Sequence, residues 1–174
     1  TSKTARLALR RLGAGKVTVV SRNGEVNYEN VYELSDTEII INTTPVGMYP
    51  NNGASPIDLS LFPKLEGVLD LIYNPARTEL LLNAEKRGII TQNGLYMLVA
   101  QAVKACRIFL DRDQDGMDEQ TEEIFKDIAA ERENIVLIGM PACGKSTVGK
   151  ALAQVLGKPF VDTDEEIVKE TGKE

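Results

Sequence analysis

The sequence predicts an α/β protein: a parallel, doubly wound sheet, followed by the start of a second α/β unit. Three observations carry this. Short aliphatic runs at residues 17–20, 38–42 and 67–73 alternate with amphipathic helical stretches, the pattern of parallel strands joined by crossover helices. An acidic interval beginning at Asp111 interrupts that alternation. Beyond it, a new aliphatic run at 135–138 leads through a glycine-rich loop into another helix.

The elements follow in order. Ser2 to Leu12 has helical spacing, with Thr1 or Ser2 as its cap and Gly13 and Gly15 at its end. Val17 to Val20 reads as a strand, as does Glu38 to Asn42, which runs into the turn-rich loop Thr43 to Asn52. A third strand, Gly67 to Tyr73, stops at Asn74-Pro75. Thr78 to Arg87 is helical, Ile89 to Thr91 is a short strand, and Gly94 to Leu110 is a longer helix, apolar over much of its surface. The acidic interval passes into a charged helix of about Glu119 to Arg132. Then come a strand from Asn134 to Ile138, a helix from Lys145 to Leu156, a strand at Pro159 to Val161 and a helix from near Glu165, for which Thr163 or Asp164 acting simply as a cap is the plain alternative to a site role. These divide the chain into residues 1–110, an acidic linker and helix at 111–133, and residues 134–174. Both α/β units are expected to be truncated. The chain opens on a helix without methionine, lacking a first strand and glycine turn, and stops at Glu174 inside a helical pattern.

Composition narrows the function. With 174 residues, 43% apolar and 26% charged, the chain is long enough for one domain or parts of two and reads as globular. It has neither a membrane-length apolar run nor a signal-peptide pattern, so a cytoplasmic protein is expected. Cys106 and Cys143 lack metal-site spacing and are expected to be reduced. There is no histidine, which excludes imidazole bases, Ser-His-Asp triads and imidazole metal ligands. The net charge of -6 is local: residues 1–110 hold 12 basic and 10 acidic side chains, whereas residues 111–134 hold 3 and 10. Without a basic excess, nucleic acid is not an expected partner. Oligomeric state is left open by the sequence.

The sharpest motif is Gly139-Met-Pro-Ala-Cys-Gly144-Lys145-Ser146, a match to G-x-x-x-x-G-K-[ST] between an expected strand and an expected helix. Glycines let successive backbone N–H groups curl around phosphate, the helix N-terminus adds positive potential, Lys145 neutralises the β- and γ-phosphates, and the Ser146 hydroxyl suits Mg²⁺. Asp162 and Asp164 then lie at the carboxyl edge of the next strand, where a carboxylate can hold metal-bound water or take a proton from a hydroxyl. From Ile135 to Glu174 the chain, with GMPACGKSTVGKALAQVLGKPFVDTDEEI, resembles the first 40 or so residues of shikimate kinase. The resemblance implies that Ala142, Cys143, Gly144, Lys145, Ser146 and Thr147 wrap the ATP phosphates. It also implies that Ser146 and Asp162 hold Mg²⁺, and that Asp164 binds the shikimate hydroxyls near the acceptor oxygen. That family's substrate-binding arginines, glycine-rich substrate loop and lid lie beyond the matching stretch.

The first 110 residues read as a dinucleotide-binding unit. Where such folds place an acid to select NAD, this sequence has Ser21-Arg22-Asn23, and a guanidinium there suits the 2′-phosphate of NADP. A solvent-exposed arginine after a strand is the plain alternative. Asn42-Thr-Thr-Pro-Val-Gly-Met48, Asp70-Leu-Ile-Tyr73-Asn-Pro75 and Asn93-Gly94-Leu-Tyr-Met97-Leu-Val-Ala-Gln101 resemble, in order and spacing, three stretches of shikimate dehydrogenase, whose nucleotide domain is Rossmann-like. The resemblance implies that Ser21, Arg22 and Asn23 contact the adenosine phosphate, Leu71 and Gly94 the nicotinamide end, and Tyr73 and Gln101 shikimate. Ser21 departs from the family's usual asparagine, and the family's catalytic lysine and aspartate belong to a substrate domain outside the matching stretch. Plain alternatives remain for each: Gly94 as a helix entry, Tyr73 as a core aromatic, Gln101 as a buried side chain with a protein partner.

Asp111-Arg-Asp113-Gln-Asp115-Gly116 through Glu122 also fits the calcium-loop pattern D-x-D-x-D-G-x₅-E, against a solvated interdomain turn. Asp118 stands where such loops place an apolar residue, and no second loop is present to pair with it. Together, the two resemblances imply a fused enzyme. It would reduce 3-dehydroshikimate to shikimate with NADPH and phosphorylate shikimate with ATP and Mg²⁺, this segment alone being inactive. The alternative is a nucleotide-binding or calcium-responsive module without turnover.

Overall fold

A computed structural model of the chain describes residues 1–111 and 115–172 and resolves two compact units, Thr1–Ala129 and Ala130–Glu174. In the first, β1 (Ile39–Asn42), β2 (Gly67–Asp70) and β3 (Ile90–Gln92) form a parallel sheet in that order. Ile39 to Asn42 register with Gly67 to Asp70, and Gly67 to Leu69 with Ile90 to Gln92. The β-branched run Ile39-Ile-Ile suits a pleated, half-buried surface. The parallel α/β class is as the sequence predicts.

Helix α1 spans Ser2–Arg11 and α2 spans Glu79–Lys86. Thr78 caps α2: its hydroxyl accepts from Leu81 N at 3.4 Å, while Gly88 in the left-handed region (φ 71°) closes the far end. Leu80, Leu81 and Ala84 face the sheet and join Val31, Leu59, Phe62, Leu65 and Val68 in the core. Arg87 anchors the turn before β2 by donating to the carbonyls of Leu59 and Phe62.

Helix α3 (Leu95–Phe109) buries Leu95, Val99 and Val103, one stripe at a spacing of four. That stripe packs on Met117, Ile124, Phe125, Ile128 and Ala129 of α4 (Met117–Arg132), with Tyr96 and Phe125 edge to face at 5.4 Å. The charged helix therefore has an apolar face lying against α3. Asp113 of the calcium-like run lies outside the described residues. Among the described residues no three acidic or cysteine side chains are grouped to hold a metal.

In the second unit, α5 (Lys145–Leu156) follows the phosphate loop and α6 (Thr163–Thr171) follows Asp162. Gly149 of α5 is buried, and a Cβ there would come within 2.4 Å of the Phe160 ring. Lys158 donates to the carbonyls of Ala130 and Glu133, satisfying acceptors at the end of α4.

Three expected strands are corrected. Residues 17–20, 135–138 and 159–161 carry no sheet pairing in the structure. A strand is a ladder shared with a neighbour, and β-propensity without a partner leaves only unladdered chain. The plain capping alternative is set aside for Thr163 and Asp164, because Asp162 caps α6 by accepting from Asp164 N at 3.2 Å.

Candidate functional site

In the first unit the carboxyl ends of β1 and β2 open onto a cleft of about 460 Å³, walled by Thr43, Thr44, Met48, Tyr49, Leu71, Tyr73 and Met97 among others. This is where open parallel sheets receive ligands, and the volume is that of a small-molecule site. Two of the predicted residues, Leu71 and Tyr73, line it, and Met97 closes it from α3. Gly94 is buried where α3 begins, with its N–H donating to Ile72 O at 3.1 Å. A Cβ on Gly94 would sit 2.1 Å from Leu71 O, so only glycine lets α3 start this close to the cleft floor. Gln101 is exposed one turn beyond Met97 and is not part of the cleft lining. That rules out the alternative of a buried glutamine with a protein partner, while the expected substrate-contacting glutamine lies outside the cleft lining.

Ser21, Arg22 and Asn23 form an exposed turn, closed by Gly24 N donating to Ser21 O at 3.2 Å and Ser21 N to Val26 O at 3.1 Å. Arg22 is exposed, an arrangement common to a 2′-phosphate contact and to a plain surface arginine, while Val20 two residues before it packs on the core.

Asp70 opens the stretch Asp70-Leu-Ile-Tyr73-Asn-Pro75 but is given no role there, although an acid at the end of the aliphatic run Gly67-Val-Leu-Asp70 is a signal that could have marked it. It is fully buried at the end of β2. Its carboxylate accepts from Asn42 Nδ2 at 3.0 Å, Ile72 N at 3.1 Å and Thr78 Oγ1 at 2.7 Å. Desolvation pushes the carboxyl above its ordinary range, outweighing those three hydrogen bonds.

The second unit presents the phosphate loop. Ala142 and Gly144 adopt left-handed backbone, at φ 59° and 87°. Such curled turns point N–H groups inward as an anion nest ahead of a helix N-terminus. Cys143 and Thr147 complete the run, the Cys143 thiol exposed. The Lys145 ammonium donates to the carbonyls of Gly139 (2.9 Å) and Met140 (2.8 Å), across the loop it would use to meet phosphate. Ser146 Oγ donates to Asp162 Oδ2 at 3.1 Å. A hydroxyl beside a carboxylate is a hard oxygen pair of the kind Mg²⁺ takes along with water and phosphate oxygens, so these residues fit that ion. Asp164 is exposed on the first turn of α6, two residues from Asp162.

Comparison with known proteins found relatives of the first part of the chain and a short family match near its end. A shikimate dehydrogenase (NADP(+)) of Clostridium perfringens is 34% identical over 66% of this chain and 46% of its own length. The chain has its homologues among the shikimate dehydrogenases. Among solved structures, shikimate dehydrogenase 1 of Peptoclostridium difficile is 35% identical with a TM-score of 0.68, covering 75% of this chain and 51% of that one. A Thermus thermophilus shikimate 5-dehydrogenase in complex with NADP(H) and shikimate is 30% identical with a TM-score of 0.50, covering 67% and 48%. Residues 141–174 match the shikimate kinase family model, consistent with a fused arrangement of the two. The chain spans under half the length of the Clostridium perfringens relative and about half of the solved dehydrogenase chains.

Proposed function

We propose that residues 1–110 supply the NADP-binding half of a dehydrogenase interconverting 3-dehydroshikimate and shikimate, and residues 134–174 the phosphate-binding part of a kinase acting on shikimate. Residues 111–133 join them. The observation that carries the reading is the cleft where β1 and β2 end, which gathers Leu71 and Tyr73 beneath the glycine-limited start of α3. Support comes from a 30% identical relative in complex with NADP(H) and shikimate.

In this reading Arg22 clamps the 2′-phosphate, with Ser21 and Asn23 beside it. Leu71 and Gly94 form a flat, dry floor for the nicotinamide end. Tyr73 and Gln101 offer a hydroxyl and an amide to the ring hydroxyls of the substrate. Bound NADPH supplies the hydride. In the kinase part, the backbone of Ala142, Cys143, Gly144 and Thr147 receives the ATP phosphates and Lys145 offsets their charge. Ser146 and Asp162 would hold Mg²⁺, which supplies further charge neutralisation at the phosphates. Asp164 orients the acceptor hydroxyl and takes its proton. We assign the protein to the cytoplasm, where exposed thiols such as Cys106 and Cys143 stay reduced. No helix among the described residues is long and apolar enough to cross a membrane.

The test is an assay of the longest native polypeptide containing this segment. NADP-dependent oxidation of shikimate and shikimate-dependent consumption of ATP should co-purify in one peak, with quinate a poor substrate in both. Binding of NADPH or ATP with neither turnover would replace this reading with a nucleotide-binding module.

A further inference from the structure

The two walls of the cleft are separate loops with no sequence in common. One, Thr43 to Tyr49, leaves β1; the other, Leu71 to Asn74, leaves β2. Both are tied to the same carboxylate. Asp70 accepts directly from Ile72 N in the second loop, and through Asn42 it reaches the first. Asn42 Nδ2 donates to Asp70 while Asn42 Oδ1 accepts from both Thr44 N (2.9 Å) and Thr44 Oγ1 (2.7 Å). The loops are stitched again by Tyr49 N donating to Asn74 O at 3.1 Å. The remaining Asp70 oxygen takes the Thr78 hydroxyl, whose own oxygen caps α2.

A buried carboxylate costs more to place than an apolar side chain of similar size. An apolar side chain in its place would leave the buried Asn42 amide, the Ile72 N–H and the Thr78 hydroxyl without this acceptor. What the carboxylate alone provides is acceptor capacity for three donors from three segments at one point. We propose that Asp70 is a positioning residue for the dehydrogenase reaction: through Asn42 and Ile72 it holds both walls of the cleft at the separation the cofactor and substrate require. This rests on the dehydrogenase reading above. Asp70 is fully buried and does not line the cleft, so it acts through the backbone of Thr44 and Ile72 and the floor at Leu71.

The experiment compares the full native polypeptide with its Asp70→Asn, Asp70→Ala and Thr78→Val variants. Asp70→Ala should raise KM for shikimate and NADP⁺ by roughly tenfold while kcat falls less than about threefold, because misplaced walls weaken binding of both ligands. Asp70→Asn should recover part of the loss, since its carbonyl still accepts from Asn42 and Ile72. Thr78→Val, which leaves the two loop contacts intact, should keep KM near wild type and lower only thermal stability. Backbone hydrogen exchange on the same proteins should show residues 43–49 and 71–74 losing protection together in Asp70→Ala, with Leu80 to Ala84 unchanged. If Asp70→Ala fails to fold, Asp70→Asn carries the same two readouts. A variant that lowers the active fraction with both KM values intact, or one wall exchanging without the other, overturns the proposal. Absence of shikimate oxidation in the wild type sinks the dehydrogenase reading instead, and the exchange data still decide whether Asp70 couples the walls.

Discussion

Gly94 shows how much one missing methyl can decide. Its N–H bonds to Ile72 O, and its Cα rests against the Leu71 carbonyl so closely that any side chain must displace backbone. Gly94→Ala is expected to cost about 2–4 kcal/mol of stability, read from urea unfolding, because backbone rather than a flexible side chain has to move. Arg22 is the opposite case, an exposed side chain whose removal the fold tolerates. Arg22→Ala in the native polypeptide should raise KM for NADP⁺ roughly tenfold and leave that for NAD⁺ within about twofold, separating phosphate recognition from general binding. Asp70 contributes a pH signature. Burial lifts its carboxyl above the ordinary value of 3.8, so the folded chain binds that proton more tightly than the unfolded one. Its contribution is complete below the ordinary value and lost as pH rises through the lifted one. The stability of wild type relative to Asp70→Asn should therefore fall as pH rises above the ordinary carboxyl value of 3.8, measured as a difference in urea midpoints.

At the scale of elements, what could be read in advance was what is local. Thr78 before Leu80-Leu81-Ala84, Gly88 after them, and the four-residue stripe Leu95, Val99, Val103 each state a helix within a dozen residues, and the structure has those helices. Ile39-Ile-Ile and Val68-Leu declare strands, and these found parallel partners. Val17 to Val20, Ile135 to Ile138 and Pro159 to Val161 carry the same residue types without the ladder, because pairing depends on chain elsewhere and not on the run itself. The phosphate loop was legible for the same local reason that helices are, whereas Asp70 was not: its donors lie 28, 2 and 8 residues away, and no spacing rule connects them. Close packing of α5 gives a further expectation. Gly149→Ala places a methyl against the Phe160 ring and should destabilise the second unit by about 1–3 kcal/mol, seen as a lower midpoint for that unit alone.

At the scale of the molecule, the proposed reading assigns a separate chemistry to each of the two compact units. Lys145→Met should abolish shikimate-dependent ATP consumption, by on the order of 100-fold, while NADP-dependent shikimate oxidation persists in the same preparation. Loss of both would show that the units depend on each other. The unpaired run in the second unit has a colloidal consequence. Ile135 to Ile138 are between 39% and 89% exposed, and no charged residue interrupts Asn134 to Pro141. A largely exposed aliphatic run with no strand partner among the described residues is a template for cross-β stacking between copies. In this chain by itself, the acidic surface of α4 just upstream is the local repulsion opposing such growth, so screening it with salt should hasten the appearance of thioflavin-positive fibrils.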